Sequence, residues 1–153
     1  MSLRWQYSSL GITELFCGMR FWRTIWNLFK PATLSLGAKG EALAARYFQK
    51  RGAVLLAQNW RSGRDELDLV VLEGAVVVFV EVKTRTAEQA GSGWFAVDRR
   101  KRRALRRVVR TWIQRVGGVP HIRFDVVEVL VCHGVKPRIV HHLGTPLFWR
   151  RRH

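Results

Sequence analysis

Acidic residues are scarce in this chain: 11 Asp and Glu stand against 27 Lys and Arg in 153 residues, a formal net charge of +16. With a sequence pI of about 11.5, that balance points to a polyanionic partner, either nucleic acid or an anionic membrane surface. Cysteine is nearly absent too. Cys17 and Cys132 lie far apart with no C-x-x-C pair, so no disulfide framework is indicated and a reducing cytoplasm is the natural setting. The five histidines (His121, His133, His141, His142 and His153) lack zinc-finger spacing and cysteine partners, which argues against a zinc site. No run reaches the roughly 18 apolar residues that span a bilayer. A chain of this length fits one domain with a hydrophobic core plus some tail.

The few acids are not scattered. Five of the eleven (Asp65, Glu66, Asp68, Glu73 and Glu81) fall between positions 65 and 81. An acidic knot in a basic chain reads as a metal pocket set in a phosphate-binding surface.

Residues 1–34 form a Trp-rich basic extension. Trp5, Phe16, Phe21, Trp22, Trp26 and Phe29 are interrupted by Arg4, Arg20, Arg23 and Lys30, with no cleavage site of small residues, so a signal peptide is not expected. Trp22, Ile25, Trp26 and Phe29 follow helical spacing, which admits an interfacial helix on anionic lipid. A helix capping the domain, or a true start at Met19 or later, is favoured over membrane contact. Pro31 closes the segment.

The main domain is expected over 35–148. In the stretch from Ser35 to Gly52, Leu36, Gly40, Leu43, Ala44, Tyr47 and Phe48 make one apolar helical stripe, and Gly52 is a C-terminal stop. Glu41 lies at the edge of that stripe with no basic residue three or four positions away on its own helix. Alone it reads as a solvated glutamate; with the acids that follow it reads as a carboxylate turned toward the sheet.

Ala53–Trp60 reads as a strand, Arg61–Arg64 as a basic turn, and Leu67–Leu72 and Ala75–Thr84 as a hairpin joined at Glu73-Gly74. In that register Glu66 faces Glu81, and Asp68 stands opposite Phe79 and diagonal to Glu81. Period-two alternation puts Glu66, Asp68, Glu81 and Lys83 on one face, and Leu67, Leu69, Val80 and Val82 on the other. Diagonal neighbours lie about 7–8 Å apart at the backbone, within reach of one shared ion. Mg²⁺ takes one or two carboxylates plus waters and phosphate oxygens. It lowers the pKa of bound water and neutralises charge on a scissile phosphate. Lys83, two residues from Glu81, is placed to position the attacking water or stabilise the phosphate. The competing reading is an exposed strand of alternating charge, disfavoured because opposed like charges need a cation.

Ala87–Gly93 reads as a loop, either a cover for substrate or a plain connector. Asp98–Val116 is an amphipathic helix with Asp98 as N-cap and a core stripe of Leu105, Val108, Val109, Trp112, Ile113 and Val116. Arg99, Arg100, Lys101, Arg102, Arg103, Arg106, Arg107 and Arg110 crowd its other side, almost without acid to offset them, and a phosphate backbone explains this better than plain solvation. With Arg61, Arg64 and Arg85, the residues Arg99, Arg100, Lys101, Arg103, Arg106 and Arg107 are the expected nucleic-acid contacts. Ile122–Val131 and Arg138–Leu143 read as further strands. The tail from 149 to 153 is basic.

The motifs Gly37-x-x-Gly40-Glu41, Asn59-Trp60-Arg61, Glu66-x-Asp68-Leu69, Phe79-Val80-Glu81-Val82-Lys83-Thr84-Arg85, Val97-x-x-x-Lys101 and Arg123-Phe124-Asp125 closely resemble the YraN family of bacterial proteins. That family looks like the restriction-endonuclease-like superfamily, with its acidic residue, gap and (Asp/Glu)-x-Lys. Archaeal Holliday-junction resolvases share this signature, including a helical glutamate before it. The resemblance covers roughly Gly37 to Val131. It implies an α/β fold of the restriction-endonuclease-like type, a central mixed β-sheet flanked by helices. It implies a metal, Mg²⁺ or Mn²⁺, on Asp68, Glu81 and the Val82 carbonyl. Lys83 would serve water and phosphate, Glu41 would support the metal or water, and Glu66 would be an accessory carboxylate. Where the family usually has Gly before Glu-x-Asp, this chain has Asp65, at a position expected to want a flexible or positive-φ backbone.

The expected function is a metal-dependent nuclease hydrolysing phosphodiester bonds of DNA, on branched or single-stranded intermediates. The alternative is a non-catalytic nucleic-acid-binding protein that keeps the fold. Junction-cutting enzymes of this likeness work as dimers, so a homodimer is an expectation without a legible interface.

Overall fold

A computed structural model describes residues 35–86, 98–132 and 134–147. The chain divides into two units, Met1–Thr33 and Leu34–His153, and every described residue belongs to the second. The expectations for the Trp-rich extension, the Ala87–Gly93 loop and the basic tail lie outside the described residues.

The first helix, α1 (Leu36–Lys50), starts where the Ser35 side chain accepts the Ala38 amide, and stops before Gly52, whose φ of 84° a side chain would resist. Gly40, Ala44, Ala45 and Phe48 are its buried face. Leu36, expected on that stripe, is the first residue of the helix and is 51% exposed.

Three antiparallel strands follow: β1 (Val54–Ser62), β2 (Asp65–Glu73) and β3 (Val76–Thr86). The second helix, α2 (Arg99–Arg115), leads into β4 (Ile122–Cys132), which runs parallel to β3. Strand β5 (Val135–His142) returns antiparallel on β4. The result is an α/β fold with one five-stranded mixed sheet in the order β1-β2-β3-β4-β5. The parallel pair needs a crossover, and α2 lies within it.

Two cores result, one on each face. On one, Phe79, Phe124 and Val126 pack with Leu105, Val108, Val109 and Trp112 of α2, the Phe79 and Trp112 rings meeting edge to face at 5.4 Å. On the other, Val78, Val80, Val127 and Val129 pack with Ala44, Ala45 and Phe48 of α1. The central strands are apolar on both sides, as strands covered by helices on each face must be.

The hairpin register differs from the expected one. The turn is Gly74-Ala75, with Gly74 at φ 61°, and the ladder pairs Glu73 with Val76 through to Leu69 with Val80. Glycine takes the turn position that needs positive φ, which moves the pairing by two residues and leaves the face of each side chain unchanged. Glu81 is therefore level with Asp68, not with Glu66.

The alternation of β2 is also broken. Leu67 packs on the α2 side while Leu69, two residues on, packs on the α1 side. Across from Asp68, the β1 ladder skips Asn59, which has φ 51° and is the single non-glycine residue at positive φ among the described residues. Asparagine tolerates that conformation. Asp65, by contrast, starts β2 without positive φ, so the expected strain at that position is absent.

Candidate functional site

The β2–β3 ladder ends at Leu69–Val80. Beyond that point the strands part, and the Asp68 carboxylate fills the gap, its Oδ2 accepting the Val82 amide at 2.7 Å. Burial, then the charge of Glu81, pushes the Asp68 carboxyl up from 3.8 to about 7, against the stabilising bond from Val82 and the charge of Lys101.

Glu81 lies next to it on β3, 1% exposed. Its Oε1 accepts from Lys83 Nζ at 2.7 Å and lies 3.1 Å from Lys101 Nζ; its Oε2 is buried without a hydrogen-bond partner. Lys83 reaches it along one strand, two residues on and on the same face. Lys101 reaches it from the first turn of α2. The sequence grouped Lys101 with the exposed basic face, yet it stands four residues before Leu105 and seven before Val108, on the helix's own core stripe. Burial lowers its pKa, but the charges of Glu81 and Asp68 and the bond to Glu81 outweigh that and raise it.

Glu41 comes from α1, on the opposite face of the sheet. Its neighbour Gly40 is packed so tightly on β3 that a Cβ would collide with the Thr84 side chain. This contact holds the start of α1 at the end of β3 that carries Glu81 and Lys83. Partial burial raises the Glu41 pKa, the Asn59 side chain opposes that, and the charges of Glu66 and Glu81 raise it further. Glu66 pairs with Arg61 at 3.0 Å, and its charge also acts on Lys101. Glu41, Glu66, Asp68, Glu81 and Lys83 are thus one electrostatically linked group, to which the structure adds Lys101 and Asn59.

The other expected nucleic-acid contacts lie near the β1–β2 turn, on β3 and on α2. Arg61, expected in the turn, is exposed near the end of β1, Arg64 is exposed in the β1–β2 turn, and Arg85 is half-buried on β3 beyond Lys83. Arg99, Arg103 and Arg106 line an open concavity on one flank of α2 together with Arg102; Arg106 also donates to the Leu147 carbonyl at 2.6 Å. Arg100 is exposed at the start of the helix. Arg107, on the other flank, holds Asp65 by two bonds of 2.8 Å, and that guanidinium keeps the Asp65 carboxyl below its usual range.

Two further buried acids, Asp125, which the motifs include without a site role, and Glu128, lie outside the expected site. Asp125 accepts from Arg123 and from the Gly144 amide, and lies 2.9 Å from His141 Nε2, whose Nδ1 lies 3.2 Å from the Tyr47 hydroxyl. Desolvation opposes its charge, but His141, Arg123 and the Gly144 amide hold its carboxyl below the usual range. An ionised Asp125 can only accept, so His141 Nε2 carries a proton and ties β4 through β5 to α1. Glu128 is fully buried beside Lys83 in the β3–β4 ladder, 3.6 Å from His142 Nε2. The signal for both was an acid inside an otherwise apolar strand, Phe124-Asp125-Val126-Val127-Glu128-Val129.

The profile of Uncharacterised protein family UPF0102 matches residues 40–129, a span that runs from Gly40, packed on Thr84, through every carboxylate of this group to just past Glu128. The chain belongs to this family. It is the YraN family that the motifs resemble. A UPF0102 protein of Rhodococcus jostii is 44% identical over 109 residues, covering 71% of this chain and 92% of that one. One from Nocardia farcinica is 43% identical over 108 residues, 70% and 85% of the two chains. One from Chlorobium chlorochromatii is 41% identical over 100 residues, 65% and 78% of the two chains. No helix among the described residues is long and apolar enough to cross a membrane.

Proposed function

We propose that this UPF0102 protein has a restriction-endonuclease-like fold and is a metal-dependent nuclease that hydrolyses phosphodiester bonds of DNA, on branched or single-stranded intermediates in the cytoplasm. One observation carries the reading: Asp68 and Glu81 are brought level where β2 and β3 part, with Lys83 on Glu81 and a buried Glu81 oxygen left without a partner.

The residues fit a hard divalent ion. Among the described residues no group of three or more His, Cys, Asp and Glu is arranged to hold a metal. Mg²⁺ and Mn²⁺ sites on phosphodiesters use fewer, one or two carboxylates with the rest from water and phosphate. Asp68 and Glu81 would supply that pair, with the Val82 carbonyl beside them. Burial and the charge of Glu81 push the Asp68 carboxyl up, and a cation bound beside it would relieve that. When bound, the ion supplies Lewis acidity to water and phosphate.

The chain's own groups do the rest. Lys83, anchored on Glu81, presents an ammonium that orients water and balances charge on the phosphate. Glu41, with its raised pKa, is a proton acceptor for that water. The α2 arginines and Arg61, Arg64 and Arg85 would dock the phosphate backbone without reading bases, which suits a substrate chosen by shape.

The experiment is Asp68→Asn. Asn keeps an acceptor for the Val82 amide and removes the charge. Loss of cleavage with DNA affinity unchanged supports the reading; unchanged cleavage removes Asp68 from the site. Metal-independent, salt-sensitive binding with no cutting by wild type selects the alternative, a binding protein in which Lys83 and Lys101 neutralise Glu81 permanently.

A further inference from the structure

Two ammonium groups stand on one oxygen of Glu81. Lys83 Nζ is 2.7 Å from Oε1 and Lys101 Nζ 3.1 Å. They are not equivalent. Lys83 is tied to Glu81 by strand geometry, being two residues further along the same face. Lys101 comes from another element, is 36% exposed, and its charge acts on Asp68 and Glu66 as well as Glu81. One lysine thus serves Glu81, and the other balances the whole carboxylate group. An ion drawn to Asp68 and Glu81 enters a field that Lys101 already neutralises, and two cations a few ångströms apart repel.

We propose that Lys101 is the resident counter-ion of the Asp68–Glu81 pair, competing with the divalent metal and released by it toward a phosphate of bound DNA. This deepens the nuclease reading and rests on it. The ammonium holds the acids together while the site has no metal and lowers metal affinity until DNA is present. DNA then gives the displaced ammonium a second anion to pair with. Metal and DNA therefore bind synergistically: each strengthens the other by the same factor. The flexible four-carbon stem of lysine suits such an exchange.

The test is Mn²⁺ binding by calorimetry on the full chain without DNA, comparing wild type, Lys101→Met, Lys101→Arg and Lys101→Met combined with Asp68→Asn. Met keeps most of the volume and removes the charge; Lys101→Gln is the substitute if Met proves insoluble. The expected result is Mn²⁺ affinity at least about tenfold tighter in Lys101→Met than in wild type, from removal of a nearby like charge. Lys101→Arg should stay near wild type, and the gain should vanish when Asp68 is Asn. Equal or weaker affinity in Lys101→Met, beside a wild type that cleaves DNA, overturns the counter-ion and leaves the nuclease standing. No Mn²⁺ binding by any of the four overturns both.

Discussion

The Asp68 carboxylate takes the place of a backbone carbonyl: its Oδ2 accepts the Val82 amide at 2.7 Å, one residue past the last rung between β2 and β3. An acid used in this way is held rigidly beside the next strand's Glu81 while its other oxygen stays available. Asp68→Asn should therefore fold normally and lose cleavage by about a hundredfold or more, the scale for removing a principal electrostatic group from a site. Gel-shift affinity in EDTA checks that DNA docking is intact.

The pH dependence of stability carries the same signature. Folding raises Asp68 from 3.8 to about 7, so between those values the native state holds a proton that the unfolded chain has released. Stability without metal should fall as pH rises from about 4 to about 7 and level off above, with Glu41 adding in the same direction. Asp65, Glu73 and Asp125, all lowered, act oppositely, and their contribution is lost only as pH falls below the usual carboxylate range. Urea melts at several pH values read this: the slope between 4 and 7 should flatten in Asp68→Asn, and an unchanged slope would place the proton elsewhere.

Gly40→Ala tests the delivery of Glu41. A Cβ at position 40 meets the Thr84 side chain, and overpacking of this kind costs about 1–3 kcal/mol. Thermal melts should show that loss, with cleavage reduced beyond it as α1 is pushed from the site. Thr84→Ala in the same chain should restore part of both.

Asp125→Ala should be a stability mutant, in contrast to Asp68→Asn. It strips a buried partner from Arg123, His141 and the Gly144 amide, a loss of about 3 kcal/mol or more. Whatever protein remains folded should keep metal-dependent cleavage, measured per folded molecule.

Asp65→Asn should strengthen DNA binding. Asp65 engages the Arg107 guanidinium through both oxygens, and a neutral side chain frees that cation for phosphate. The plot of log affinity against log salt should steepen by about one. A slope that stays the same would put Arg107 outside the DNA footprint.

Much of this arrangement was legible in the sequence because its period was simple. Alternation in β3 put Glu81 and Lys83 on one face, helical spacing gave both apolar stripes, and Asp98 capped α2 as its type suggests, accepting the Lys101 amide at 2.7 Å. The hairpin register was misread by two residues because Glu73-Gly74 and Gly74-Ala75 are both plausible turns, and only the positive φ of Gly74 chooses. Leu67 was placed on the wrong face because the break opposite Asn59 has no periodic signature. Lys101 was lost among its basic neighbours, although its spacing to Leu105 carried the information. Asp125 and Glu128 are marked locally only as acids inside an apolar strand; their partners come from β5 and α1, distant in sequence, and no local pattern names them.

The most direct measurement of the central claim is cleavage of labelled duplex, single-stranded and four-way-junction DNA by wild type and Lys83→Ala, with Mg²⁺, Mn²⁺ or EDTA. The account predicts cutting of at least one of these substrates with metal, none in EDTA, and loss of that cutting in Lys83→Ala with DNA affinity retained. Cutting that survives EDTA or the loss of Lys83, or tight binding with no cutting under any condition, would contradict it.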